Sequence, residues 1–336
     1  MREFIPLPER SERLIAAGDD RWRLEHEPLP HLDDHDLLFK LLVAGLRAED
    51  RPNASGQVQG VLVGEIAAVG DEVARWNPSD LALLVPDGTQ HHPSGIATYL
   101  HTGESPEARR GFRVFQLPDR MNAEDATLLP SAALAARILK KAALPKGGRL
   151  LVVGLGLVGQ ILMLLARHQR VEQILGADPS PTLRAKGEWS GATGMVRLPD
   201  ESIQESVLAM TRRQGVDAAV ILSPNAALIA DASRVLSERG SLLLAAETPP
   251  GFSVSVAPAW IQRNEIRIQG VRGFGDPDLR EAMRAIDQGT LNAESYVSKR
   301  TAWSELEETR LDTAYWDHGT HVLIEGPEWG VETARR

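Results

Sequence analysis

The chain of 336 residues contains no cysteine. Disulfides, thiolate nucleophiles and cysteine-ligated zinc are thereby excluded together. An excess of positive charge is also missing: 37 Lys and Arg stand against 46 Asp and Glu, a formal net charge of −9. Nucleic acid and anionic membrane, which select a positive footprint, are excluded as principal partners. No clean hydrophobic span occurs either. The one candidate, 150–166, carries three glycines and Gln160, falls short of about 18–20 unbroken apolar residues, and divides into a strand and a helix. Residues 1–10 mix charges with prolines and hold no apolar segment, so no secretory signal is expected and the cytoplasm is the expected location. What is present, 43% hydrophobic and 25% charged residues, suits a water-soluble protein long enough for two domains.

The densest information lies at 150–159. Leu150-Leu151-Val152-Val153 leads directly into Gly154-Leu155-Gly156-Leu157-Val158-Gly159, and the next apolar run ends on Asp178-Pro179. A strand, a glycine turn and a helix start in this order form a dinucleotide cradle. The first glycine permits the tight turn, the second lets backbone approach a pyrophosphate, and the third lets helix and strand pack closely. An acid at the end of the second strand accepts hydrogen bonds from ribose hydroxyls and repels a 2′-phosphate. The expected cofactor is therefore NAD, with Arg184 nearby as the one feature favouring NADP. Ser223 and Ala245, at the ends of later strands, join the cofactor groove, because ligands of such sheets sit at the carboxyl ends of the strands.

From 149 onward, strands expected at 150–153, 173–177, 194–197, 217–222, 241–246 and 265–270 alternate with helices at 158–168, 181–190, 201–213 and 226–238. This alternation implies a doubly wound α/β Rossmann sheet. Residues 22–85 read as β-rich, with strands at 36–43 and 61–69, and as a partly open barrel. Residues 86–113 read as loop, 123–141 as helix, 277–287 as helix, 303–311 as helical, and 321–324 as a last strand.

This order resembles the medium-chain dehydrogenase/reductase superfamily of alcohol and polyol dehydrogenases. The resemblance rests on Val43-Ala44-Gly45-Leu46, Gly64-Glu65-Ile66-Ala67-Ala68-Val69-Gly70, Pro78-Ser79-Asp80, Leu117-Pro118-Asp119, the glycine turn and Gly191-Ala192. It implies a GroES-like catalytic domain over 1–125, a Rossmann domain over 126–274 and a return to the catalytic domain over 275–336. It also implies that backbone near Val271 holds the nicotinamide amide, and that two copies join sheet edges at 252–256 and 265–269 into a homodimer. The expected partner is a small-molecule substrate.

The departures from the family pattern concern zinc. Arg47 stands where zinc members have their first cysteine, Gln59-Gly60-Val61 replaces Gly-His-Glu, and the third ligand position falls near Leu129 or Pro130. No metal is expected from such a set. Another group must then move the proton and face the alkoxide. Glu49, at the family's proton-relay position, and Arg47 are the candidates, with a loop salt-bridge cluster of Arg47, Glu49, Asp50 and Arg51 as the alternative. His91, His92, Tyr99 and His101 lie in the segment that borders the substrate cleft in relatives, and His91 or Tyr99 could serve as general acid. The expected function is zinc-independent, NAD-dependent hydride transfer between nicotinamide and a secondary alcohol or ketone. A quinone or activated-alkene reductase and a non-catalytic NAD-binding sensor remain open. A methyltransferase is disfavoured by the upstream β-rich domain.

Overall fold

The computed structural model describes residues 7–17, 21–29, 31–47, 50, 52, 56–86, 95–103, 111–309 and 321–327. The chain forms two compact units, Met1–Leu128 with Ile286–Arg336, and Leu129–Ala285. The first opens with strands β1 (Arg10–Ala17), β2 (Arg21–Pro28), β3 (Asp36–Leu46), β4 (Val61–Val69), β5 (Leu81–Pro86), β6 (Ile96–Ala97), β7 (Tyr99–Gly103) and β8 (Phe112–Gln116), followed by the single-turn helix α1 (Ala123–Ala126). The second runs α2 (Leu129–Ala142), β9 (Arg149–Val153), α3 (Leu157–His168), β10 (Gln173–Asp178), α4 (Pro181–Ser190), β11 (Gly194–Arg197) and α5 (Ile203–Met210). It continues through β12 (Val216–Ile221), α6 (Ala226–Ser233), β13 (Leu236–Leu244), α7 (Pro258–Arg263), β14 (Arg267–Gly270) and α8 (Asp276–Asp287). Strands β15 (Val297–Ala302) and β16 (His321–Glu325) then complete the first unit.

In the first unit, β3 is the spine of a seven-stranded sheet ordered β15-β16-β3-β4-β5-β8, with β7 also paired to β3. Nine of its eleven residues are apolar or glycine, Asp36 and Lys40 being the others, and Leu37, Phe39, Leu41, Ala44 and Leu46 fill a core with Leu62, Ile66, Leu84, Phe112 and Trp303. Burial of this kind contributes roughly 25 cal/mol per Å² of apolar area. A three-stranded sheet, β2-β1-β6, lies alongside. Antiparallel pairing of β16 with β3 sets Val322 opposite Leu46 and Leu323 opposite Gly45, which carries the start of β16 to the end of β3.

The second unit holds a six-stranded parallel sheet ordered β11-β10-β9-β12-β13-β14. Counted along its own strands this is the doubly wound order 3-2-1-4-5-6, with the switch point between β9 and β12. Its central strands are hydrophobic runs because helices cover both faces; Leu151, Val153, Ala219, Ile221 and Leu242 are fully buried. Local signals start the helices. Ser180, Ser202 and Asn225 each cap a helix by accepting a backbone N–H, and Pro181 opens α4.

Four expectations need correction. The helix expected at 226–238 ends at Ser233, and 236–238 belong to β13, where Leu236 pairs with Val216. Buried Val235 and Leu236 fit a helical period as well as a strand, and sheet pairing decides. The helix expected at 201–213 spans only Ile203–Met210, since Arg212 and Arg213 take positive φ. The segment 86–113, expected as loop, contributes β6, β7 and the start of β8, whose buried alternation is hidden among polar neighbours. Residues 252–256 form no strand, although Phe252 and Val254 pack on the second core; β14 alone is the sheet edge there.

Candidate active site

In the second unit, the carboxyl ends of the parallel strands present the glycine turn. Gly154 follows β9 at φ +97°, a conformation that a side chain would strain, and its N–H donates to the carbonyl of Ala177 at 2.9 Å. A Cβ on Gly159 would sit 2.3 Å from the Gly154 carbonyl oxygen, so α3 and the turn can touch only with glycine there. Gly156 differs. A Cβ built on it meets nothing within 4 Å. The space beside Gly156 is open, and Gly156 caps α3 ahead of Leu157, Val158 and Gly159. The amides of a helix's first turn have no intrahelical acceptor, and with the helix dipole they form an anion-binding end.

Asp178 closes this turn. Its Oδ2 accepts the Leu155 N–H at 2.8 Å and its Oδ1 accepts the Ser180 N–H at 2.8 Å, with the residue only 5% exposed. Each carboxylate oxygen has two acceptor directions, so capacity is left for further donors. Arg184 Nη1 donates to the carbonyls of Asp178 at 2.9 Å and Pro179 at 2.8 Å. Ser223, Ala245 and Val271 stand just past β12, β13 and β14. There the Ala245 N–H donates to the Ile221 carbonyl and the Val271 N–H to the Leu244 carbonyl. One contributor is absent from the sequence reading: Gln160, 1% exposed, whose Nε2 donates to the Leu155 carbonyl at 2.8 Å and braces the turn from within α3.

In the first unit, the end of β3 carries Arg47. Its Nε and Nη2 donate to Oδ2 and Oδ1 of Asp50 at 3.0 and 2.8 Å, and its backbone N–H donates to Oδ2 at 2.9 Å. This is a fork-on-carboxylate pair within a single turn, which is the strong geometry for these groups. His321, at the start of β16, is fully buried and stands one register step beyond the Val322–Leu46 pair. Its Nε2 lies 2.6 Å from the Thr127 hydroxyl oxygen, which itself donates to the Glu124 carbonyl at 2.5 Å. Burial first, and then the Arg47 charge, push the imidazole down to about 3. Gly45 makes room for the ring: a Cβ there would lie 2.5 Å from His321 Cε1.

Tyr99 belongs to a different place, β7 opposite Lys40, where it is 5% exposed and burial pushes its phenol up to about 12. His101, also on β7, pairs its Nε2 with Asp36 at 2.5 Å. Glu49, Arg51, His91 and His92 lie outside the described residues.

The family model described as "Zinc-binding dehydrogenase" matches residues 158–288. A sorbitol dehydrogenase of Bacillus subtilis is 22% identical over 294 residues, covering 79% of this chain and 83% of its own. The NADP-dependent isopropanol dehydrogenase of Thermoanaerobacter brockii is 23% identical over 54% of this chain, which spans 57% of that relative. Among solved structures, the alcohol dehydrogenase TADH from Thermus sp. ATN1 superposes with a TM-score of 0.80 at 18% identity, covering 94% of this chain and 99% of the other. These matches make the chain similar to the medium-chain dehydrogenase/reductase superfamily, whose fold it shares. The relatives it matches are named as sorbitol and isopropanol dehydrogenases, and two solved structures of the same fold are described as bound to NADP and to NADH.

Zinc members of the superfamily hold a catalytic metal, and the residues here do not fit one. A catalytic zinc takes about three lone-pair donors from protein. At the positions that the resemblance assigns to zinc ligands, the chain has a guanidinium already bound to Asp50, a glycine (Gly60), and Leu129 or Pro130, both buried hydrocarbon side chains. Among the described residues, no three His, Asp or Glu side chains converge as a metal-holding group. His321 and Thr127 escaped the sequence reading because their contact joins positions 194 apart. A lone histidine opening the apolar run Val322-Leu323-Ile324 was the available signal.

Proposed function

We propose that this dehydrogenase uses NAD(H) and no zinc to move a hydride between nicotinamide and a secondary alcohol or its ketone. The observation that carries the cofactor reading is Asp178, fixed by the Leu155 and Ser180 amides with acceptor capacity to spare beside the open space at Gly156. Both ribose hydroxyls of NAD suit such an acceptor, whereas a 2′-phosphate meets a carboxylate. Arg184, the cation that could have welcomed that phosphate, has its Nη1 turned onto two backbone carbonyls. The cradle would comprise Gly154 to Gly159, Asp178, Pro179, Ser223, Ala245 and Val271. The cofactor supplies the hydride chemistry; the protein binds, orients and handles the proton.

The zinc-free reading is supported by Arg47, Gly60 and Leu129 at the former ligand positions. Proton movement then falls to Glu49, with Arg47, two positions earlier in the sequence, as a fixed cation. The substrate class follows the relatives named as sorbitol and isopropanol dehydrogenases. A homodimer built along β14 completes the reading: that strand is the outermost of its sheet, all four residues are exposed, and Ile268 is 42% exposed.

Calorimetric titration with NAD+ and NADP+, beside elemental analysis of the purified protein, tests this. Tighter binding of NAD+ and no stoichiometric zinc are expected. Stronger NADP+ binding sinks the cofactor half, and stoichiometric zinc sinks the metal half. Glu49→Gln is expected to lower kcat and flatten the acid limb of its pH profile; an unchanged profile removes Glu49 from the mechanism.

A further inference from the structure

Asp178 and Gln160 hold the same residue from opposite ends. Asp178 Oδ2 accepts the Leu155 N–H at 2.8 Å, and Gln160 Nε2 donates to the Leu155 carbonyl at 2.8 Å. Gln160 reaches back because it sits in the first turn of α3, where side chains tilt toward the helix start; its own N–H donates to the Gly156 carbonyl at 3.0 Å. Leu155 is fully buried, and among the described residues no other donor serves its carbonyl. The Leu155–Gly156 peptide is trans, so its carbonyl and its N–H point in opposite directions. With the carbonyl drawn inward to Gln160, the Gly156 N–H faces outward, and it has no acceptor among the described residues. All of these groups belong to the second unit.

The backbone by itself does not enforce this orientation. Gly156 takes φ −61°, yet glycine reaches positive φ without steric penalty, so rotating the Leu155–Gly156 peptide costs it little. The rotated peptide would turn a carbonyl oxygen, an acceptor, toward the open side of the turn. An anion arriving at the start of α3 would then meet a lone pair where it needs a donor. We propose that Gln160 is a positioning residue that locks the Leu155–Gly156 peptide with its N–H outward, so that the turn offers the cofactor pyrophosphate a donor and no acceptor. The proposal rests on the dinucleotide reading above and deepens it: Asp178 serves the ribose, whereas Gln160 serves the diphosphate through the backbone.

The test separates those two parts of the ligand. ADP-ribose carries the diphosphate, adenosine only the base and ribose, and neither carries nicotinamide, so the readout is binding alone. In the full-length protein, Gln160→Met removes the donor at nearly equal length. Titration calorimetry is expected to show the ADP-ribose Kd raised about ten-fold, while adenosine, followed by saturation-transfer NMR, binds as it does to the native protein. Equal weakening of both ligands marks a merely structural role and overturns the proposal, as does an unchanged ADP-ribose Kd. A native protein that binds no ADP-ribose removes the cofactor reading itself. A second measurement needs no variant. The sequence holds two Leu-Gly pairs, Leu155-Gly156 and Leu175-Gly176, so 13C-carbonyl leucine with 15N-glycine labelling gives two amide signals. Gly176 lies inside β10 with a strand on each side, and the Gly156 amide is expected to exchange with water faster. ADP-ribose is expected to shift and protect the Gly156 signal, with adenosine leaving it in place. A Gly156 amide already protected in the free protein, or one indifferent to ADP-ribose, refutes the outward N–H.

Discussion

Acidification offers a clean measure of how firmly His321 is buried. Its ring is pushed from an ordinary value of 6.5 down to about 3 by burial and by the Arg47 charge. The sign follows from which state takes the proton. Below pH 6.5 the unfolded chain protonates this histidine while the folded chain refuses, so stability is intact above that pH and falls as the pH drops toward 3. Between pH 7 and pH 5 this one group removes about 2 kcal/mol, less than the limit of about 1.4 kcal/mol per pH unit because the unfolded chain is only partly protonated above 6.5. Asp125, whose carboxyl burial pushes upward, acts with the opposite sign at lower pH and is common to both proteins compared. The assay is urea unfolding at pH 7 and pH 5 for the native sequence and His321→Phe. It is followed by tryptophan fluorescence, with Trp22, Trp76 and Trp303 in the core of the first unit. The native protein is expected to lose about 2 kcal/mol more than the variant across that interval. Equal losses refute the reasoning, because they mean that the folded protein accepts the proton at His321 as readily as the unfolded chain.

The glycine turn separates binding from stability: Gly156→Val, placed in open space, is expected to keep the melting temperature and lose most affinity for NAD+ by calorimetry. Gly159→Ala, which drives a methyl to 2.3 Å from the Gly154 carbonyl, is expected to cost about 1–3 kcal/mol in denaturant unfolding. Asp178→Ala is expected to weaken NAD+ binding about ten-fold or more and to narrow the gap to NADP+, since it removes both the ribose acceptor and the anchor of the Leu155 amide; an unchanged NAD+/NADP+ ratio counts against the cofactor reading. Ile268→Lys, on the exposed face of β14, is expected to shift sedimentation toward monomer, and a protein that is monomeric before substitution removes the proposed dimer edge.

The parts of this molecule legible in the sequence are those written in local residues. Helix α4 was read with both its ends because Ser180-Pro181 starts it and Gly191 stops it, and β4 because 61–69 is a bounded apolar run. The glycine turn was legible because each glycine answers a separate steric demand within six residues. The β1–β2 hairpin was not, because only Leu14 and Trp22 of its apolar residues are fully buried while Arg10, Glu12, Arg13, Arg21, Arg23 and Glu25 dominate its pattern. The boundary between α6 and β13 depends on pairing with β12, which no local period encodes. The Arg47 turn was visible as a choice between a reactive cation and a salt bridge, and the bidentate contact with Asp50 gives the ion pair physical form. The imidazole across from it depends on how β16 registers against β3.

Taken group by group, that corner of the first unit limits where proton transfer can reside. Arg47 keeps its charge at any working pH and has two donors committed to Asp50, so it can bias a nearby oxygen but cannot exchange a proton with it. Asp50 accepts three hydrogen bonds from Arg47, so its oxygens are committed to that ion pair. His321 resists protonation across the neutral range, and its Nε2 lies 2.6 Å from the Thr127 hydroxyl oxygen. Tyr99, on β7 opposite Lys40 rather than in that corner, is pushed up to about 12 and holds its proton too tightly to serve as a base near neutrality. Arg47, His321 and Tyr99 each hold one protonation state near neutrality. A dehydrogenase that must release one proton for each alcohol oxidised then needs a carboxylate or imidazole outside this locked set. On the proposed reading that group is Glu49, so a carboxylate, not the buried imidazole or phenol, should set the acid limb of the rate profile.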